Sequence, residues 1–540
     1  MRREPEHRVE RDPLGEVRVP ASAYYGVQTE RAVENFPISG LTAHPELVTA
    51  TVLIKKAAAE ANRALGRLAP EIADAIVQAA DDVLEGGLRD QFVVDVYQAG
   101  AGTSHNMNAN EVLANRAAEI LGVPRGEYDR VHPNDHVNMG QSTNDVFPTA
   151  TRLALLFVLR DLMTAARELA KGLEDKSREF ADIVKTGRTH LQDAVPITFG
   201  QEFGGYAANV GHAARELERT ADQLHELNLG ATAVGTGLNA GDDYAREAIA
   251  RLARYTGLPL RPAANRFRVT QSMGDVLACS GALRRLAVEV GKIASDLRLL
   301  SMGPRAGIAE IQLPAVQPGS SIMPGKVNPS VPEMVNQVCY QVIGCDATIL
   351  AAADAGQLEL NVMMPVIAWN GLHAMRILAQ AMHVLQDRCV SGIKVDVERA
   401  RELLDRSTAV ATALSPYIGY EATADIAKTS IKTGRPIREL VRERGLLPDD
   451  ALDAILSADA MTSPGVPGDH RGQEHREANR ADRSGGGPAA GGRRQPAAAA
   501  ARKAFSAGKS GSARGTGSRR LAAAGSDHGR ARDRRAKRRR

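Results

Sequence analysis

The sequence predicts a mainly α-helical protein built on a bundle of long helices, and three observations carry that expectation. Apolar residues at Val276, Cys279, Leu283, Leu286, Val290, Ile293, Leu297 and Leu300 step alternately by three and four, a heptad seam about 36 Å long at 1.5 Å per residue. Arg284, Arg285, Lys292, Asp296 and Arg298 fall off that seam, so the helix belongs to a bundle and not to a membrane. Similar periodicity runs over 149–180, 203–229, 332–353 and 366–393, and no strand-dense region interrupts it, only hints such as GEVRVP near the start. Helices this long present more apolar surface than one chain's bundle can use, which points to a homo-oligomer that shares it.

Composition narrows the class. At 540 residues the chain exceeds one hydrophobic core and suggests two to four domains. Four cysteines, Cys279, Cys339, Cys345 and Cys389, form no C-x-x-C pair, which argues against a disulfide scaffold or zinc site and fits a reducing, cytoplasmic setting. The opening MRREPEHRVERDPLGEV has no apolar stretch after its charges and does not read as a signal peptide. Nowhere do about 18 apolar residues run uninterrupted, so no membrane span is expected.

Charge divides the chain in two. Of the 68 Lys+Arg and 64 Asp+Glu, 20 and 5 fall in 471–540, a net of +15, leaving 48 and 59 in 1–470, a net of −11. The terminal stretch is Ala, Gly, Arg and Ser, with Phe505 and Leu521 its only sizeable apolar residues. It has nothing to bury and is expected to be a disordered basic tail.

Four polar, glycine-rich segments punctuate the helices: GAGTSHNMNANE at 100–111, HPNDHVNMGQSTND at 132–145, KTGRTHLQDAVP at 185–196 and QPGSSIMPGKVNP at 317–329. Singly, the first three read as helix caps and turns. Together, with their Ser, Thr, Asn and His, they read as the lining of a site for a small polar anion. The fourth is too broken by Pro318, Gly319, Pro324, Gly325 and Pro329 to be helical. Its tip carries bare Ile322 and Met323, the packing surface of a lid with glycines and prolines as hinge and frame.

These motifs, in this order along the chain, resemble the signatures of the fumarase/aspartase superfamily of lyases, over about residues 8–466. PLGEVRVPASAYYGVQTERAVENF, STN at 142–144, VPEMVNQVC at 331–339, GQLELNVM at 356–363 and PYIGYEA at 416–422 lie nearest its aspartase branch. GRTHLQDA and MPGKVNP are common ground. The resemblance implies three domains: a mixed, mostly helical 1–146; a central helical bundle 147–396 that includes the 317–329 loop; and a small helical 397–466, followed by the tail at 467–540. It also implies a homotetramer whose active sites are shared between subunits.

The implied reaction is reversible deamination of L-aspartate to fumarate and ammonia, by anti elimination through an aci-carboxylate intermediate. Its hard step removes a proton beside the distal carboxylate, so donors placed where that charge develops count most, at about 2.7–4 kcal/mol each. Neutral groups do this without holding the ground state equally tightly. By the resemblance Thr103, Ser142, Thr143 and Asn144 supply them, Lys326 is the fixed cation for the α-carboxylate, and Asn328, Thr189 and Ser321 assist. His190 binds and positions substrate and ranks second as a catalytic group, although a base poised near neutral pH would ordinarily be preferred. The family gives the base role to Ser320 as an oxyanion, which requires backbone N–H donors and Lys326 in a dry site.

No phosphate-binding glycine loop, metal cluster or Schiff-base chemistry calls for a cofactor. Met364 stands where aspartases usually carry an acid, and His105 where a small or apolar residue is usual. Two alternatives remain open. One is a class II fumarase interconverting malate and fumarate. The other is a non-catalytic protein whose tail binds nucleic acid or another polyanion. The Ala/Gly/Arg/Pro bias of the tail also fits a frameshift product.

Overall fold

The computed structural model describes residues 6–468; the tail expected from residue 467 lies outside the described residues from 469 on. Five long helices form the centre: Thr143–Glu179, Phe199–Ala221, Gly274–Leu300, Ser330–Asp354 and Met364–Arg388. Thr143–Glu179 packs on Phe199–Ala221 and Met364–Arg388, while Gly274–Leu300 packs on Phe199–Ala221 and Ser330–Asp354. The predicted seam is real: all eight of its residues are buried, and Arg284, Arg285, Lys292 and Arg298 are exposed. Apolar side chains also remain on the outside of these helices, among them Val288, Tyr340 and Leu350, each more than half exposed.

Two smaller apolar clusters flank this core. One lies among the helices Pro45–Ala64, Pro70–Leu84 and Thr103–Ile120, around Val52, Ile76, Val112 and Leu113. The other gathers Leu414, Ile426, Ile437, Val441, Leu452 and Ile455 from the short helices after residue 410. Strands are few and paired two by two. GEVRVP is one of them, Gly15–Pro20, antiparallel to His7–Asp12. The 185–196 segment, read from sequence as caps and turns, is instead a β-hairpin of Val184–Thr189 with Gln192–Thr198.

Pro148 lies inside the 37-residue Thr143–Glu179 helix. Proline has no N–H to give the carbonyl four residues back, which here is that of Asn144. That oxygen accepts from Asn228 Nδ2 at 3.1 Å instead, so the freed carbonyl is satisfied and the helix start is tied to the 228–233 turn. Arg152, on the same helix and wholly buried, forks onto the buried Asp275 at 2.7 and 3.1 Å. No described helix is long and apolar enough to cross a membrane.

Candidate active site

The first group of candidate residues sits at two helix N-termini. Thr103 opens Thr103–Ile120 behind Gly102, whose φ of +83° suits glycine and whose Cβ would meet the Phe147 ring at 2.1 Å. Ser142 caps Thr143–Glu179 through a reciprocal pair: its Oγ accepts from Asn144 N at 3.2 Å, and Asp145 Oδ1 accepts from Ser142 N at 2.9 Å. Asn106 Nδ2 donates to Thr143 Oγ1 at 3.2 Å, which joins the first turns of the two helices. Both termini offer aligned backbone N–H groups and the positive end of a helix dipole, a setting suited to carboxylates. Asn144 Nδ2 is engaged with Ala233 O at 2.9 Å.

Buried charge underlies this group. Asp145 Oδ2 accepts from Gly230 N and Thr232 N, both at 2.9 Å, and burial pushes its carboxyl up to about 7 against those donors. Lys55, fully buried on Pro45–Ala64, donates to Asn138 Oδ1 and Gln141 Oε1 at 2.9 Å each. Burial brings it down to about 7, opposed by the charge of Asp145. His105 donates from Nε2 to Thr51 Oγ1 at 2.9 Å, because the Thr51 hydroxyl proton already goes to Leu47 O at 2.8 Å. Burial lowers the His105 imidazole to about 4, and the Lys55 charge adds to that. Sequence reasoning missed Lys55 and Asn106 as members of this group, although a lysine directly after the apolar run Val52-Leu53-Ile54 was a visible signal.

The second group is the hairpin tip. Thr189 and His190 are exposed there, and His190 and Leu191 both adopt left-handed φ, 55° and 60°. The third is the 317–329 loop. Ser320 Oγ accepts from Ile322 N at 3.2 Å and Met323 N at 3.0 Å. Lys326 Nζ donates to Asn328 Oδ1 at 2.5 Å, and Asn328 Nδ2 to Gly319 O at 2.7 Å. A Cβ on Gly319 would meet Lys326 O at 2.2 Å, so the loop's neck closes only on glycine. Ser321 and Lys326 are exposed, and Ile322 is 83 % exposed at the tip. Among the described residues no hydrogen bond joins one of these three groups to another, and those of 317–328 stay within 317–330.

Met364, the departure from the aspartase pattern, is wholly buried at the start of Met364–Arg388. Among the described residues no cluster of His, Cys, Asp and Glu is disposed to hold a metal ion.

Comparison with known proteins identifies the family. The family model described as "Lyase" matches residues 15–344, and "Fumarase C C-terminus" matches 410–463. An aspartate ammonia-lyase of Pseudomonas aeruginosa is 51 % identical over 460 residues, 85 % of this chain and 97 % of that one. That of Escherichia coli K12 is 49 % identical, covering 85 % and 96 %. A crystal structure titled fumarate lyase:delta crystallin from Brucella melitensis, bound to cobalt, superposes with a TM-score of 0.82 at 52 % identity, over 85 % of this chain and all of that one. A class II fumarase from Schistosoma mansoni also gives 0.82, at 37 % identity and the same coverage. The family models and these relatives mark the chain as a lyase. The chain belongs to the fumarase/aspartase superfamily of lyases.

Proposed function

We propose that this chain catalyses the reversible deamination of L-aspartate to fumarate and ammonia. The observation that carries the reading is its 49–51 % identity to aspartate ammonia-lyases over 85 % of the chain, against 37 % to a fumarase of equal structural likeness. In this reading Thr103, Ser142, Thr143 and Asn144 receive the distal carboxylate, where charge builds as the neighbouring carbon loses its proton. Neutral hydroxyls and helix N-termini stabilise that charge as it appears.

Ser320 removes the proton. Its Oγ already accepts two backbone N–H bonds, and donors so placed favour the oxyanion over the hydroxyl. Lys326 and Asn328, bonded to each other in the open loop, take the α-carboxylate with Ser321, while Thr189 and His190 hold the amine end. No metal or organic cofactor has a role in this scheme. Because no hydrogen bond joins the three groups within one chain, and apolar residues line the outer faces of the long helices, the complete site is assembled between subunits of a homo-oligomer, a tetramer by the family pattern. Closure of the 317–329 loop, burying Ile322 and Met323, dries it.

The test is to follow fumarate absorbance with aspartate and with malate supplied separately. Fumarate from aspartate and none from malate is expected; fumarate from malate alone would make the chain a fumarase.

A further inference from the structure

Arg188 lies inside the GRTHLQDA motif, yet the chemistry above gives it no task. In the hairpin the register shifts between Thr186 and Arg188. Gly187 permits the shift, since a Cβ there would meet Val195 O at 2.5 Å. Such a bulge re-aims the side chain that follows it. Arg188 forks onto Glu310, with Nη1 and Nη2 each 2.9 Å from a carboxylate oxygen. Glu310 is wholly buried. Its main chain is fixed on both sides, the N–H by Leu300 O at 3.0 Å and the carbonyl by Asp396 N at 2.9 Å.

Lys185, also buried, stands 3.5 Å from Glu310 and 2.8 Å from Glu202. Two cations and two carboxylates therefore neutralise one another under the strands. Beyond this anchor the chain enters two consecutive left-handed residues, His190 and Leu191, neither of them glycine. Residues held in that region persist only where the surroundings over-determine them, and they concentrate at functional sites. A bidentate arginine on a fixed carboxylate is a rigid clamp of the required kind.

From the bulge, the buried fork and the strained tip we infer that the Arg188–Glu310 pair is a positioning device. It holds Thr189 and His190 in the geometry that engages substrate, and Glu310 is a positioning residue acting through Arg188. The inference rests on the substrate-binding role given above to Thr189 and His190.

Glu310→Gln keeps the shape and removes the charge that fixes the fork. A misplacement of about 1 Å at a reacting site costs on the order of 100-fold, so kcat/KM for aspartate should fall by about that factor in Glu310→Gln. The discriminating measurement repeats the substitution in a Thr189→Ala, His190→Ala background, with the thermal midpoint recorded throughout. If the pair acts through the tip, Glu310→Gln changes kcat/KM by less than about threefold there, a fraction of the loss expected from misplacement alone. Its effect on the thermal midpoint should meanwhile be equal in both backgrounds. Equal losses of kcat/KM in both backgrounds would show a general structural role and overturn the inference. So would parental kcat/KM in Glu310→Gln.

Should Glu310→Gln fail to fold, Arg188→Lys, which keeps the charge and gives up the fork, runs through the same cycle with the same criteria. If the Thr189→Ala, His190→Ala chain itself kept parental kcat/KM, the site reading would fall and this inference with it.

Discussion

His105 should make the protein lose stability in mild acid. Its folded pKa is depressed from 6.5 to about 4 by burial first and the Lys55 charge second. Below pH 6.5 the unfolded chain therefore takes up a proton that the folded chain refuses. For a group shifted this way, stability is lost as pH falls and the loss levels off below the folded value. With 6.5 and about 4 as end points, the loss is about 2 kcal/mol at pH 5 and about 3.4 kcal/mol at its limit. Replacing the ring tests this. His105→Leu gives up one hydrogen bond to Thr51 and the edge-on contact with Phe147, whose ring centre is 5.9 Å away. The Thr51 hydroxyl keeps its bond to Leu47 O, so no donor is orphaned and the cost at pH 7.5 is about 1 kcal/mol. The variant should be slightly the weaker chain at pH 7.5 and the stronger by about 1 kcal/mol at pH 5. Urea midpoints of both chains at the two pH values, at matched concentration, check the crossing. Parallel decline of parent and variant would refute the reasoning.

Three further outcomes follow from the same geometry. Ser320→Ala should fold and assemble normally and lose most of its turnover of aspartate; near-parental kcat would return the base role to His190. Lys326→Ala should weaken binding and turnover together, by about 2–5 kcal/mol in kcat/KM, as loss of one partner of a desolvated charge pair does; an unchanged KM would leave the lysine merely solvated. A chain ended after residue 470, just past the family match that stops at 463, should keep its oligomeric state and its aspartate deamination at moderate salt, and loss of either would make the basic extension functional.

What the sequence made legible was what repeats. The 276–300 seam advertised itself through eight residues that all face the core, and a local period needs no knowledge of distant partners. The GEVRVP strand was visible for the same reason. The 185–196 hairpin was not. Its turn is His190-Leu191 where an Asn-Gly pair would have announced it, and its alternation is obscured because the buried run 185–187 opens with a lysine and is followed by a half-buried arginine. Lys185 and Arg188 are held there by Glu202 and Glu310, the latter more than 100 residues away. Lys55 escaped similarly: its acceptors Asn138 and Gln141 lie more than 80 residues on. The candidate residues at 103, 142–144, 189–190 and 320–328 were legible as motifs, but their sorting into three separate groups in one chain was not, because spacing along a sequence does not fix which chain completes a site.

Pro148 shows how the fold turns a local defect into a link. A helix beginning at Thr143 with Pro148 in its second turn leaves the Asn144 carbonyl without its usual donor. Left bare, that oxygen would carry the cost of an unpaired polar group, about 1–3 kcal/mol where water is excluded. Asn228 fills the gap, and Asp145 accepts from Gly230 and Thr232 in the same turn, so the 228–232 segment is bound to the helix start by both a carbonyl and a carboxylate. Ser142, Thr143 and Asn144 therefore stand on a braced corner, with their donor positions fixed. The 317–329 loop uses its prolines in the opposite sense. Pro318, Pro324 and Pro329 bar helix or strand, and the loop is held by bonds within itself, so in the proposed closure it would move as a unit. In the proposed reaction, preorganised donors on one side and a self-contained loop on the other divide the work of an elimination: the corner would meet the charge as it develops, and the loop would bring Ser320 and Lys326 to the proton and the carboxylate as the site is dried.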